Sequence, residues 1–270
     1  METVNLNSID AYNKLYGLTT YHPLVTVVDL KEATQVVNNV RMAYGVYAIF
    51  LKNSVNCSIK YGRRNYDYQE GTIVSFSPGQ IIDVSMEEPE VKPDVIGLMF
   101  HPDLIYGTPL AEKIMSFTFF DYSEMESLHL SESEREQFLF CLNQIKHEIE
   151  HPVDRHSATL LSASIQLLIE YLHRFYDRQF ITRHKVNSEV LKNFERHLKE
   201  YFKGGQNTSG LPDVAYFAEK SHLTPGYFSD LIKKETGSTA KDLITLHIIA
   251  EAKHRLATDN SDISEIAYAL

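Results

Sequence analysis

The chain has 270 residues, of which 43% are hydrophobic and 23% are charged, and its formal net charge is −10. The length accommodates two ordinary domains, and the composition is that of a soluble globular protein. Residues 188–270 carry 10 basic and 12 acidic side chains, against 16 and 24 in residues 1–187. The acidic balance excludes nucleic-acid binding through an overall positive field, so any such binding must rely on local placement of Lys and Arg.

Signals for export, membrane insertion and disulfide bonding are missing from the sequence. The chain does not start with positive charges followed by an apolar stretch, and the apolar windows 46–51 and 160–172 are too short or too interrupted to span a bilayer. The cysteines Cys57 and Cys141 lack metal-ligand spacing and are expected to be buried thiols. We therefore predict a cytoplasmic protein without a membrane partner.

Residues 20 to about 100 have the pattern of short β-strands. Segments rich in β-branched and aromatic residues alternate with turn signals such as Ser77-Pro78-Gly79. Many short strands at this spacing suggest an antiparallel barrel or jelly roll. We predict an N-terminal antiparallel β-barrel with strands at 25–28, 44–51, 55–61, 72–77 and 95–100.

From Ser131 the apolar residues recur with a helical period. They are three or four residues apart in 131–150 and again in 155–176, and Pro152 separates the two segments. This pattern predicts a helical hairpin. Its apolar stripe packs either on its own barrel or on a second subunit, and the 3-4 alternation favours a homodimer through these two helices.

Residues 179–187 are polar and basic without an apolar period, and they are expected to form a linker. The predicted fold class is therefore α+β. A sensor and dimerisation domain spans residues 1–178, and an all-α domain spans residues 188–270.

Two short helices joined by a tight turn are predicted between Leu211 and Gly237. Pro212 and Asp213 suit the start of the first helix, and Thr224 and Pro225 suit the N-cap and first position of the second. Such a pair is typical of the DNA-binding helix-turn-helix.

The second of these helices carries the predicted DNA contacts. Phe228, Leu231 and Ile232 are expected to face inward, and the opposite face to lie in the major groove. Polar side chains near the helix start read bases, whereas lysines further along contact phosphates. The predicted DNA-binding residues are Thr224, Gly226, Tyr227, Ser229, Asp230, Lys233 and Lys234.

A long helix and the start of a second, similar unit follow. The helix is predicted from Thr239 to about Thr258, with an apolar face made by Leu243, Leu246, Ile249, Ala250 and Leu256. In residues 262–270, Asp262 and Glu265 have the spacing of a capping box, and the apolar pattern repeats that of residues 214–218.

The C-terminal region from Leu211 onward resembles the AraC/XylS family of transcription regulators. The matching residues are Ala218, Leu223 to Phe228, Lys233 to Gly237, Ala252-Lys253 with Leu256, and Asp262 to Ala267. The resemblance implies two helix-turn-helix units joined by one long helix, binding to promoter DNA as a dimer, and control by a small molecule sensed in the N-terminal half.

The sequence departs from the family pattern in two places. The family's second unit continues with another recognition helix, which would lie beyond Leu270, so we expect residues 1–270 alone to bind DNA poorly. Asp230 occupies a position at which the family often has a basic residue.

The N-terminal half resembles the cupin-like sensor of the same family through Tyr66 to Gln80, which ends in the Pro-Gly turn. Cupins are often metalloenzymes, but residues 46–77 contain no histidine. We therefore expect no metal site, no cofactor and no catalytic residue.

A barrel without metal can bind a small molecule in its mouth. Sugar, fatty acid, bile-type steroid and no ligand at all remain open. The predicted lining residues, which are equally good core residues, are Tyr47, Ile49, Tyr61, Phe76 and Met99.

Together these features predict a homodimeric, non-enzymatic transcription regulator with promoter DNA, a small-molecule effector and RNA polymerase as partners. Two alternatives remain at this level. One is a cupin-type metalloenzyme with a helical tail, and the other is a sensor that acts through protein contacts only.

Overall fold

A computed structural model describes residues 2–53, 71–85, 92–203, 211–258 and 264. The chain divides into two compact units, Met1–Asp177 and Arg178–Leu270. Strands occur in the first unit and helices in both, so the predicted α+β class is confirmed.

The described strands of the first unit form two sheets and not the single closed barrel predicted from the sequence. One sheet has the order β1-β3-β6, with β1 parallel to β3 and β3 antiparallel to β6. The other has the order β2-β7-β4-β5-β8 and is antiparallel throughout. The strands are β1 (Glu2–Leu6), β2 (Val25–Asp29), β3 (Val40–Tyr44), β4 (Tyr47–Lys52), β5 (Thr72–Phe76), β6 (Ile81–Val84), β7 (Val95–Phe100) and β8 (Leu128–His129).

The predicted strand 44–51 is divided between the two sheets at Gly45. Tyr44 ends β3 in the first sheet, and Tyr47 begins β4 in the second. The Gly45 N–H donates to the Leu6 carbonyl at 3.0 Å, and a Cβ on Gly45 would lie 3.0 Å from the Asn7 Cα. The close approach of the two chain segments therefore favours glycine at this point, and the chain changes sheet there.

The two sheets pack around a common core. Buried side chains from both sheets and from helix α1 (Ile9–Tyr16) form one apolar cluster. The five-stranded sheet is buried on its other face as well, where α4 (Glu132–Glu150) contacts β2. Short helices follow β7: α2 (Pro102–Ile105), α3 (Pro109–Lys113) and three 3₁₀ turns at Ile114–Ser116, Thr118–Asp121 and Glu124–Glu126.

Both helices expected from the 3-4 pattern are present. Helix α4 begins with a capping box between Ser131 and Glu134, and helix α5 spans Ser157–Thr182. The apolar stripe is largely buried within the chain itself, so most of it is not available to a second subunit. Its buried members are Phe138, Leu142, Ile145, Ile149, Leu161, Ile165, Leu168, Leu172 and Phe175.

The second unit begins inside α5, and its described residues continue with the helices α6 (His184–Lys203), α7 (Val214–Lys220), α8 (Pro225–Thr236) and α9 (Ala240–Thr258). Residues 179–187, expected to be an irregular linker, form the end of α5 and the start of α6. The Asn187 side-chain amide donates to the Phe180 carbonyl at 2.9 Å, and both residues are buried. The stretch is therefore helical although its sequence has no apolar period. Phe180 and Asn187 are buried within it.

Among the described residues, no helix is both long and apolar enough to cross a membrane.

Candidate functional sites

Helix α7 is fixed at its N-terminus by a side-chain cap and along one face by aromatic packing. The Asp213 carboxylate accepts a hydrogen bond from the Tyr216 N–H at 2.8 Å. Phe217 and Ala218 are fully buried, and the Phe217 ring meets the Phe194 ring of α6 edge-on with centroids 5.1 Å apart. The predicted inward face of this helix is therefore confirmed at Phe217 and Ala218.

A tight turn joins α7 to α8. The Leu223 N–H donates to the Ala218 carbonyl at 3.0 Å, and the Ser221 hydroxyl donates to the Phe217 carbonyl at 2.9 Å. His222 adopts the left-handed conformation, with φ of 57°. Residues 221–223 contain no glycine or asparagine to indicate this backbone geometry, which only a few per cent of non-glycine residues adopt.

Helix α8 starts and ends where the sequence predicts. The Thr224 hydroxyl accepts from the Tyr227 N–H at 3.3 Å, Pro225 is the first helical residue, and Gly237 closes the helix with φ of 76°. Phe228, Leu231 and Ile232 are buried, and the Phe228 ring lies edge-on to that of Phe194 with centroids 5.3 Å apart. One face of α8 is therefore fixed against α6.

The opposite face of α8 is accessible within the described part of the chain. Gly226, Ser229 and Asp230 are half-buried, and Lys233 and Lys234 are exposed. At about 100° per residue, positions 226, 229, 230 and 233 share one side of the helix. We call this side the α8 outer face.

Tyr227 does not belong to the α8 outer face, so its predicted outward placement is wrong. It is 5% exposed, and its ring packs against Phe180 with centroids 4.9 Å apart. Tyr227 is four residues before Leu231, which places it about 40° from Leu231 around the helix axis. A residue at this edge of the buried face can be buried or exposed, so the helical period alone does not decide the burial of Tyr227.

The apolar face of α9 differs from the prediction. Ala240 and Ile244 are the buried residues of this helix, whereas Leu246, Ile249 and Leu256 are exposed. The predicted apolar face did not include Ile244. Its buried neighbour one helical turn earlier is Ala240, a small residue that the apolar pattern also left out. The repeat predicted for residues 262–270 lies outside the described part of the chain.

A cavity lies between the two sheets of the first unit, and it replaces the barrel mouth predicted from the sequence. Its free volume for a water-sized sphere is about 60 Å³, and it is partly open to solvent. We call it the inter-sheet cavity. Its lining includes tyrosines from α1 and β3, Phe50 and Lys52 from β4, Val74 and Phe76 from β5, and Lys92.

Of the predicted ligand-binding residues, Phe76 lines the inter-sheet cavity. Met99 is fully buried in the adjacent core, and Tyr47 and Ile49 do not line the cavity. The Tyr47 ring instead stacks on Phe100 with centroids 5.0 Å apart. Side chains alternate along a strand, so Phe50 and Lys52 share one face of β4 and Tyr47 and Ile49 the other. Tyr61 lies outside the described residues.

The described residues contain no group of three or more His, Cys, Asp or Glu side chains arranged to hold a metal ion. Comparison with models of known protein families and with curated proteins finds no match for this chain.

Proposed function

We propose that this protein is a sequence-specific DNA-binding transcription regulator of the AraC/XylS kind, controlled by a small molecule. In this proposal α7 and α8 form a helix-turn-helix, α8 is its recognition helix, and the first unit is a cupin-like sensor. The proteins of this kind work in the cytoplasm, bind promoter DNA as homodimers and have RNA polymerase as a partner.

The observation that carries the proposal is the division of α8 into two faces. One face is buried against Phe194 and its neighbours, and the other presents small and polar side chains followed by two exposed lysines. A recognition helix needs this arrangement, because its N-terminal residues approach base edges while cations further along contact phosphates.

Each residue of the α8 outer face, and Lys234 beside it, has a chemical role in the proposal. Gly226 permits close approach to the duplex, and Ser229 hydrogen-bonds to a base. Asp230 accepts a hydrogen bond from a cytosine amino group. Lys233 and Lys234 neutralise phosphates and position the helix without reading sequence. Because the whole chain is acidic, these local contacts are the source of affinity.

The first unit leaves a limited apolar surface for the proposed dimer. Phe140 of α4 and Leu160 and Leu167 of α5 are exposed, and Leu160 and Leu167 are two helical turns apart on the same side. We assign the subunit contact to these three side chains, in place of the buried stripe.

The proposal is tested by fluorescence anisotropy with duplex DNA from upstream of the protein's own gene and with a shuffled duplex of the same composition. We expect a preference of about 10-fold or more for the natural duplex. The double variant Ser229→Ala/Asp230→Ala should lose this preference while retaining weak binding to both duplexes. Equal binding of the wild-type chain to the two duplexes would refute a sequence-specific regulator.

A further inference from the structure

A second cavity of the first unit lies between the end of α4, the edge strand β2 and the segment that follows α1. Its free volume for a water-sized sphere is about 240 Å³, and it is partly open to solvent. A single water needs only roughly 10–15 Å³, so the cavity has room for a small organic molecule. We call it the α4–β2 cavity. Among the described residues, it shares no lining side chain with the inter-sheet cavity.

Hydrogen bonds hold the walls of the α4–β2 cavity in place. The Thr34 hydroxyl donates to the Gly17 carbonyl at 3.1 Å, and the Thr34 N–H donates to the Tyr16 carbonyl at 3.1 Å. The Asn13 side-chain amide donates to the Thr19 carbonyl at 3.4 Å. On the other side of the cavity, β2 is paired with β7 and contacts α4. The cavity is therefore formed by the fold itself, and a ligand does not have to order its walls.

The charge of the described lining is negative. Asp29 ends β2, Glu32 follows three residues later, and Glu150 ends α4. Lys146 is the one basic side chain among the described lining residues, and its Nζ lies 3.9 Å from a Glu32 carboxylate oxygen. Three acidic side chains and one basic side chain give the described lining a net charge of −2, which Asp29 and Glu150 supply.

The carboxylates of Asp29 and Glu150 are available to an added cation. Asp29 accepts from the Lys31 N–H at 3.0 Å through Oδ1, while the Lys31 Nζ pairs with Asp94 at 2.8 Å. Within the described part of the chain, Glu150 has no ion-pair partner. The C-terminus of a helix carries partial negative charge, so the end of α4 adds to the negative potential at Glu150.

The other lining groups favour an organic cation over a metal ion. No three ligating side chains of the described residues are grouped to hold a metal, so the carboxylates are spread around the cavity. The Tyr21 ring is 66% exposed, and the face of a tyrosine ring attracts ammonium groups. Leu18, Val27 and Ile149 give the lining an apolar part as well. A ligand with charged ends and an apolar middle matches this combination.

We propose that the α4–β2 cavity binds a small alkyl diamine, with one ammonium group at Asp29 and the other at Glu150. The alkyl chain lies on Leu18, Val27 and Ile149. The two positive charges of a diamine balance the net charge of the described lining. This site goes beyond the proposed function and does not depend on it.

The first test compares three probes with the same carbon chain by isothermal titration calorimetry on the whole chain at low salt: 1,4-diaminobutane, 1-aminobutane and 1,4-butanediol. We expect the diamine to bind about 10-fold or more tightly than the monoamine, and the diol to bind most weakly, because each replacement removes one charge-assisted contact. Equal affinity of the diamine and either other probe, or no binding of the diamine, would overturn the proposal. This comparison does not depend on the folding of a variant.

The second test removes one carboxylate at a time. Glu150→Gln and Asp29→Asn should each lower diamine affinity about 10-fold. Glu136→Gln is the matched control, because Glu136 is an exposed acid of the same helix that does not line the cavity. It removes the same charge and should change diamine affinity by less than about twofold. Unchanged affinity in Glu150→Gln or Asp29→Asn, or an equal loss in Glu136→Gln, would refute the assigned contacts. No DNA is present, so this result is independent of sequence-specific DNA binding.

Discussion

The ring of Phe180, near the end of α5, packs against the ring of Tyr227, in the first turn of α8, with centroids 4.9 Å apart. Both side chains are buried. Tyr227, which lies between Gly226 and Ser229 of the α8 outer face, is thus held by a side chain from the stretch that the sequence marks as a linker. The packing of α8 therefore depends on α5 as well as on α6.

Replacing Phe180 should loosen α8 and lower stability. We expect Phe180→Ala to reduce the free energy of unfolding of the second unit by about 3 kcal/mol or more, because a large buried ring leaves a cavity. Urea denaturation followed by circular dichroism measures the change. Ile181→Ala is the matched control, since Ile181 is 74% exposed and should cost little. Equal effects of the two substitutions would contradict this role of Phe180.

In the turn between α7 and α8, we expect one substitution to stabilise the folded protein. His222 has a φ of 57°, a conformation that glycine adopts without steric cost. His222→Gly should therefore raise the free energy of unfolding by up to about 1 kcal/mol, after the extra entropy of the unfolded chain is subtracted. Thermal denaturation checks this expectation. Glu219→Gly, in the exposed part of helix α7, should have the opposite sign, by about 1 kcal/mol.

Removing one lysine of the α8 outer face should weaken DNA binding independently of sequence. Lys233→Ala should lower affinity for natural and shuffled duplexes by the same factor and reduce the slope of log affinity against log salt by about one. Anisotropy titrations at several salt concentrations measure the slope. Lys14→Ala, in the first unit, serves as the control and should leave it unchanged. A loss confined to one duplex would assign Lys233 to base reading instead.

The exposed leucines of α5 predict the behaviour of the proposed dimer. Leu160 and Leu167 are each 50% exposed. Leu160→Glu/Leu167→Glu should convert the dimer to a monomer in sedimentation velocity experiments, because buried charges at a contact are costly. Ile181→Glu should leave the mass unchanged. A wild-type chain that sediments as a monomer at all concentrations would refute the proposed contact.

The Asp94 carboxylate should contribute to the loss of folding stability in acid. Burial raises its pKa, but contacts from the Lys31 Nζ at 2.8 Å and the Asn53 Nδ2 at 3.1 Å outweigh burial and hold the pKa below the ordinary value near 3.8. A lowered folded-state pKa gives stability that is present above the unfolded pKa and is lost as the pH falls through the folded one.

The Asp94→Asn variant should therefore be less stable than wild type at pH 7, and the difference should shrink as the pH falls below about 4. Urea denaturation at pH 7, 5 and 3 measures it. Asp103→Asn is a suitable control because Asp103 is exposed at the start of α2. A difference that stays constant with pH would contradict the assigned contacts.

Helix ends in the second unit were predictable because they depend on local chemistry. Asp213, Thr224 and Gly237 set the ends of α7 and α8 through hydrogen bonds or backbone conformations that involve only neighbouring residues. The period of apolar residues likewise predicted the buried positions Phe217, Phe228 and Leu231.

The division of strands between two sheets was not predictable from local pattern. The parallel partner of β3 is β1, formed by the first residues of the chain, and the change of sheet at Gly45 depends on contact with Asn7. These are long-range pairings, and the alternation of residues within a strand does not specify its partner. For the same reason the sequence did not show which face of β4 lines the cavity, and Tyr47 and Ile49 were assigned to the ligand pocket.

The sequence by itself determined where α7 and α8 begin and end and which of their residues are apolar, since caps and helical period act over a few residues. Only the tertiary structure decided that Tyr227 is buried against Phe180 and that Lys52 lines a cavity. It also decided that the apolar stripe of α4 and α5 is largely covered within the chain. The burial of a side chain depends on which distant segments pack around it, and a local pattern carries no information on that choice.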